Sequence, residues 1–130
     1  MEREILGLKF VNEGSYAPEQ YDVFDDIGII AYVRYRYGKL WVEYPWVNGE
    51  EIIFEEIGGK YQGAFADEEE RTNKLNEVAK AIVNFDNERK QQDDYSKFRV
   101  FWNKEFDEFM KKYIVKTKWY YKKNFRGFME

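Results

Sequence analysis

Residues 32–46 read YVRYRYGKLWVEYPW, and the way this stretch pairs with itself decides the fold. Tyrosine and arginine alternate up to Gly38; after it Leu40, Val42 and Tyr44 alternate with Trp41 and Glu43. A period of two marks a half-buried strand, because successive side chains point to opposite faces of a sheet. The central glycine suits a two-residue hairpin turn. With Gly38-Lys39 as the centre of a type II′ turn, Tyr37 faces Leu40, Arg36 faces Trp41, Tyr35 faces Val42, Arg34 faces Glu43 and Val33 faces Tyr44. One face then carries Val33, Tyr35, Tyr37, Leu40, Val42 and Tyr44, while the other pairs Arg34 with Glu43 and Arg36 with Trp41. A slip of one residue would destroy that sorting.

Working outward, REILGLKFVN (3–12) reads as a first strand or an extended arm, followed by strands in YDVF (21–24), GIIAYVRYRY (28–37), KLWVEYPW (39–46) and EEIIFEEI (50–57). Asn48-Gly49 between the last two is a strong hairpin signal. With Asp26, Ile27 and Gly28 as a three-residue loop, Phe24 faces Ile30 and Asp22 faces Tyr32. Phe24, Ile30 and Tyr32 then share the face of Arg34 and Arg36, and these five form a candidate interface. An apolar set on that face calls for a cover, either the C-terminal aromatic helix or a partner.

The period changes after residue 66. Leu75, Val78, Ile82 and Phe85 recur at helical steps, which predicts a helix over about 68–86 with Asp67 as N-cap and Glu70 closing a capping box. Tyr95, Phe98, Trp102, Phe106, Phe109 and Tyr113 predict a second helix over about 94–115, its stripe widened by Phe101, Met110 and Ile114. The expected architecture is α+β, one domain over 1–130. An antiparallel meander of four to five strands over about 3–57 is followed by two helices packed on it. A basic aromatic segment at 116–130 closes the chain.

Composition narrows the chemistry. The 130 residues contain no histidine and no cysteine, which removes serine–histidine and cysteine–histidine nucleophiles, imidazole or thiolate zinc sites, and disulfides. Ser15, Ser96, Thr72 and Thr117 are the only serines and threonines. No convergent acid pair near a lysine suggests a magnesium nuclease, and Ile57-Gly58-Gly59-Lys60 lacks the spacing of a P-loop. The expectation is a non-enzymatic protein without cofactor or metal. With no apolar run long enough for a membrane span, and an N-terminus unlike a signal peptide, the expected location is the cytoplasm.

Charge is divided unevenly. Residues 1–96 carry 11 basic and 21 acidic side chains, whereas residues 97–130 carry 10 and 4. Two surfaces follow. Glu50, Glu51, Glu55 and Glu56, with Asp67, Glu68, Glu69 and Glu70, are candidates for an acidic, nucleic-acid-mimicking surface that binds a protein. Lys111, Lys112, Lys116, Lys118, Lys122, Lys123 and Arg126, interleaved with Trp119 and Tyr120, are candidates for binding single-stranded nucleic acid by charge and stacking.

The runs EQYDVFDDIGIIAYVRYRYGKLWVEYPWVNGEEI (19–52) and GAFADEEERTNKLNEVAKAI (63–82) resemble small phage- or prophage-encoded proteins. The resemblance brings no catalytic residues. It implies a phage accessory protein of the host-cell cytoplasm that acts by binding a host defence protein, such as a nucleic-acid-binding CRISPR effector, with the acidic surface as the contact. The alternatives are direct nucleic-acid binding by the C-terminal segment, or a homo-oligomer that traps a nucleotide near Arg34 or Arg36.

Overall fold

The computed structural model describes residues 2–12, 14 and 17–112. Six strands, β1 (Glu2–Ile5), β2 (Leu8–Val11), β3 (Glu19–Phe24), β4 (Ile29–Arg36), β5 (Lys39–Tyr44) and β6 (Glu50–Glu56), precede two helices, α1 (Glu68–Arg89) and α2 (Tyr95–Lys112). The strands form one antiparallel sheet in chain order. The expected four to five strands become six because 3–12 is a hairpin. Leu6 and Gly7 both take left-handed conformations (φ 53° and 79°), bringing Ile5 opposite Leu8. Leucine is a rare occupant of such a turn, so the sequence carries no standard signal for it.

The decisive hairpin turns one residue earlier than Gly38-Lys39. Tyr37 and Gly38 both have positive φ (56° and 73°), the requirement of a type I′ turn. Arg36 therefore faces Lys39, Tyr35 faces Leu40, Arg34 faces Trp41, Val33 faces Val42 and Tyr32 faces Glu43. Every pairing shifts by two residues, which preserves the faces: Val33, Tyr35, Leu40, Val42 and Tyr44 are all buried as expected. Tyr37, expected among them, is instead at the exposed tip. Gly38 is needed twice, for its φ and because a Cβ there would lie 2.4 Å from the Gly59 carbonyl oxygen.

The inner face of the sheet packs on α1 through Phe10, Val23, Val33, Tyr35, Leu75 and Ile82, with their neighbours. Because α1 touches both edge strands, β1 and β6, the sheet curls around it. The outer face receives α2, whose Phe106 and Met110 pack on Val11, Phe24, Ile29 and Trp46. A bulge between Val23 and Phe24 puts Phe24 opposite Ile29 rather than Ile30, and sends Ile30 to the inner core. The C-terminal helix thus covers Phe24 and its apolar neighbours on the outer face. Of the expected stripe, Phe106 and Met110 are buried and Phe98 and Trp102 pack partly buried against the core, whereas Phe101 and Phe109 are exposed; Arg99, outside the stripe, is buried with them. Tyr113 and Ile114 lie outside the described residues.

Helix α1 starts where Asp67 Oδ1 accepts a hydrogen bond from Glu70 N at 2.8 Å. The Glu70 side chain reaches back one residue further than a capping box would, to Ala66 N at 3.1 Å. Two buried polar clusters fasten the helix at its ends. Near its start Arg71 grips Glu19 through Nε (2.7 Å) and Nη2 (3.1 Å), and Tyr21 donates to the same carboxylate. Near its end Asp86 accepts hydrogen bonds from the hydroxyls of Tyr44 and Tyr95 and lies 3.6 Å from Arg99 Nη1. Arg99, 1% exposed, also binds Asp25 at 2.8 and 3.1 Å and donates to the Ile29 carbonyl.

Removing Arg99 would strip Asp25 of its buried counter-charge and leave Asp86 with only Lys90, 3.5 Å away at the surface. Arg99→Met should cost about 3–5 kcal/mol, the range for breaking one side of a buried pair, read as a lower urea midpoint at unchanged slope. Burial and then the hydrogen bond to Asp86 raise the Tyr44 pKa; burial and then Glu19 do the same for Tyr21. With folded-state values above an unfolded value of about 10, this stability is complete below that pH and lost as pH rises beyond it. Urea midpoints should fall above about pH 10, and Tyr44→Phe should flatten that fall.

Candidate functional site

The pleat divides the acidic candidates. Glu50 and Glu55 pair with Tyr44 and Leu40 and so point toward α1, where Glu55 meets Lys74 Nζ at 2.5 Å and Glu50 lies 3.7 Å from Arg89. Glu51 and Glu56 pair with Glu43 and Lys39 and point to the outer face. At the helix start, Asp67 and Glu70 are occupied in capping, and Glu68 binds Arg3 at 2.6 Å and Arg71 at 2.8 Å. Hydrogen bonds from Arg3, then Arg71, hold the Glu68 carboxyl below its ordinary pKa. Glu69 is exposed. The eight acids therefore do not share a face, and several tie α1 to the sheet. Charge on the edge strand β6 also discourages pairing with another chain.

Of the five-residue candidate interface, Phe24 (5% exposed) and Ile30 (1%) are core residues and cannot serve. Tyr32 is half-buried and donates its hydroxyl to Gln20 Oε1 at 3.0 Å. Beside it a cavity of about 220 Å³ is bounded by Trp46 and Phe109. The indole N–H of Trp46 is already given to Asp22 at 2.9 Å. Lys111 and Lys112 are exposed in the last turn of α2, Lys111 paired with Asp107 at 3.0 Å. Lys116, Lys118, Trp119, Tyr120, Lys122, Lys123 and Arg126 lie outside the described residues.

Arg34 and Arg36 have a different setting from the one expected. Helix α2 covers β2, β3 and the start of β4 as far as Tyr32, and leaves open two rows of β4–β6, Arg36, Lys39 and Glu56 and then Arg34, Trp41 and Phe54, with Glu43 and Glu51 beyond them. The expected Arg34–Glu43 pair is replaced by Arg34 over Trp41, 5.3 Å from the ring centroid. Arg36 is freed from Trp41 and lies 4.7 Å from the Tyr37 ring; Lys39 lies 5.7 Å from Phe54. The 57–65 loop is held to the turn by Gly38 N donating to Gln62 O at 2.6 Å, and adds Lys60 beside Tyr61 at 5.5 Å. Among the described residues none of these four cations has a carboxylate within 4.0 Å.

The cations thus gather at the Tyr37-Gly38 end of the face, while Glu43 and Glu51 stand at the other end. The rings there are open, Tyr37 being 59% exposed, Phe54 56% and Tyr61 90%. Sequence reasoning missed Tyr37, Lys39, Trp41, Phe54, Lys60 and Tyr61 as members of a surface. Their grouping depends on a turn one residue earlier than glycine position suggests, and on a loop that returns from β6. A period-two pattern was the only available signal, and it does not locate the turn.

Comparison with protein-family models, with curated proteins and with solved structures finds no match to this chain. No helix among the described residues is long and apolar enough to cross a membrane.

Arg36 opposite Lys39 is a like-charge pair, which costs a sheet stability, whereas an opposite pair there contributes about 0.2–1 kcal/mol. Arg36→Glu should therefore raise the thermal midpoint, a gain suppressed by salt. A lower midpoint would contradict this pairing.

Proposed function

We propose that this chain is a binding protein whose partner is anionic and docks on the open outer face of β4–β6. The observation that supports it is the set of four cations, Arg34, Arg36, Lys39 and Lys60, that lie against exposed or half-exposed rings rather than carboxylates. Arginine, tryptophan and tyrosine are the residue types that dominate binding surfaces. A ring beneath a guanidinium orients it without neutralising it, so the charge stays available. The likeness of residues 19–52 and 63–82 to phage-encoded proteins supports a biological setting: a non-catalytic phage accessory protein that interferes with a nucleic-acid-handling host defence system.

The acidic surface is the less supported contact, since Glu50, Glu55 and Glu68 are committed to Arg89, Lys74, Arg3 and Arg71. Glu51, Glu56 and Glu69 are the acids that such a reading would use.

Retention of the full chain on immobilised heparin at low ionic strength tests the reading, because a protein of net charge −4 binds a polyanion only through a local basic surface. Arg34→Glu/Arg36→Glu/Lys60→Glu should abolish retention, and Lys118→Glu/Lys122→Glu/Lys123→Glu should leave most of it. The reverse result would assign the polyanion to the C-terminal segment. Loss of partner capture only on Glu51→Lys/Glu56→Lys/Glu69→Lys would establish the acidic contact instead.

A further inference from the structure

We propose that the Tyr37-Gly38 end of this face binds single-stranded nucleic acid, with phosphates held by Arg36, Lys39 and Lys60 and bases stacked on Tyr37, Phe54 and Tyr61. The inference rests on the anionic-partner reading and adds the chemistry of that partner.

Cross-strand pairing places Arg36 and Lys39 side by side next to the turn, and the Gly38–Gln62 hydrogen bond brings the Lys60 loop against it. Glu56, opposite Lys39, is the one acid in this row and makes no ion pair with it within 4.0 Å, so three cations face one carboxylate and a bound anion relieves the excess. The sheet's other end has the opposite sign, Glu43 facing Glu51 across β5 and β6. A phosphate backbone is attracted at the turn and repelled at those glutamates, which confines it to the turn end.

Charge alone would suit an acidic peptide equally well. The rings decide between them. Tyr37, Phe54 and Tyr61 each expose more than half of their surface, each beside its own cation. An aspartate-rich segment has nothing to lay on these rings. An unpaired base has a π-face of its own, and aromatic platforms combined with backbone-tracking cations are the general means of holding single strands. Duplex bases are already stacked and offer these rings only a phosphate surface. The turn adds to this: Tyr37 occupies a left-handed position at φ 56° where asparagine, aspartate or glycine is the usual residue. A tyrosine there sets its ring outward at the tip.

Fluorescence anisotropy of a labelled oligo-dT of about 12 nucleotides, within the span one small module covers, tests the proposal on the full chain. Binding should weaken with salt at a slope of about −0.7 per phosphate engaged, hence about −2 for three contacts. Tyr37→Asn, compatible with the left-handed turn, and Phe54→Ser on the edge strand each remove a ring without changing charge. Each should lower affinity at least fivefold at unchanged salt slope, because a base–ring stack is worth about that factor or more. Arg36→Glu should reduce the slope, while its thermal midpoint shows that the fold is intact.

Equal binding of oligo-dT, a duplex of the same length and poly-glutamate, with both ring variants unaffected, would overturn the nucleic-acid proposal and leave the anionic-partner reading standing. No binding of any polyanion would overturn both. Oligo-dT binding lost in Lys118→Glu/Lys122→Glu/Lys123→Glu but kept in Arg34→Glu/Arg36→Glu/Lys60→Glu would move the site off the sheet.

Discussion

Arg99 joins three parts of the molecule at one buried point. Its guanidinium reaches Asp25 in the β3–β4 turn, the Ile29 carbonyl at the start of β4, Asp86 in the last turns of α1 and the Tyr95 hydroxyl one turn back in α2. A cation removed from water this completely must be surrounded by acceptors, or its desolvation would outweigh its attraction to either acid. Those acceptors come from both layers, so the cluster sets where α2 leaves the end of α1 and turns onto the outer face. Phe106 and Met110 then fall against Phe24, Ile29 and Trp46.

The opposite end of α1 is held by a related device. Glu19, at the start of β3, is buried and takes hydrogen bonds from Arg71, Tyr21 and the Phe65 amide. Fastened at both ends and touching both edge strands, α1 fills the inside of a curled sheet. One helix cannot also cover the outside, and α2 covers only β2, β3 and the start of β4. The later part of β4, with β5 and β6, remains as the open surface, so the candidate site is a consequence of how two helices share one sheet.

Within that surface a small difference in turn position changes the chemistry. A turn at Gly38-Lys39 would have paired Arg34 with Glu43 and Arg36 with Trp41, a face with its charges answered. The type I′ turn at Tyr37-Gly38 places Arg36 opposite Lys39 and Arg34 opposite Trp41. Apart from Tyr37, which moves from the core face to the exposed tip, the burial pattern is the same in both registers, because a shift of two leaves every paired side chain on its own face. Core packing therefore does not distinguish them. The close approach of Gly38 to the Gly58 and Gly59 carbonyls, where no Cβ fits, favours the observed turn.

Read alone, the amino-acid sequence determined the α+β order of elements, the antiparallel meander, the N-cap at Asp67 and the inner-face residues of the central hairpin. Each rests on local periodicity or turn chemistry, which a chain carries without knowing its tertiary partners. Only the folded structure decided the first hairpin at Leu6-Gly7, the burial of Arg99, the division of the acidic cluster between two faces and the grouping of cations and rings around Tyr37. Leu6 and Tyr37 adopt left-handed turns against their usual preference. Arg99 is buried only because Asp25 and Asp86, 74 and 13 positions away in the chain, converge on it. The burial of Arg99 and the grouping around Tyr37 depend on contacts distant in sequence that no window of neighbouring residues contains, and the local Leu6-Gly7 turn uses a residue that rarely marks one.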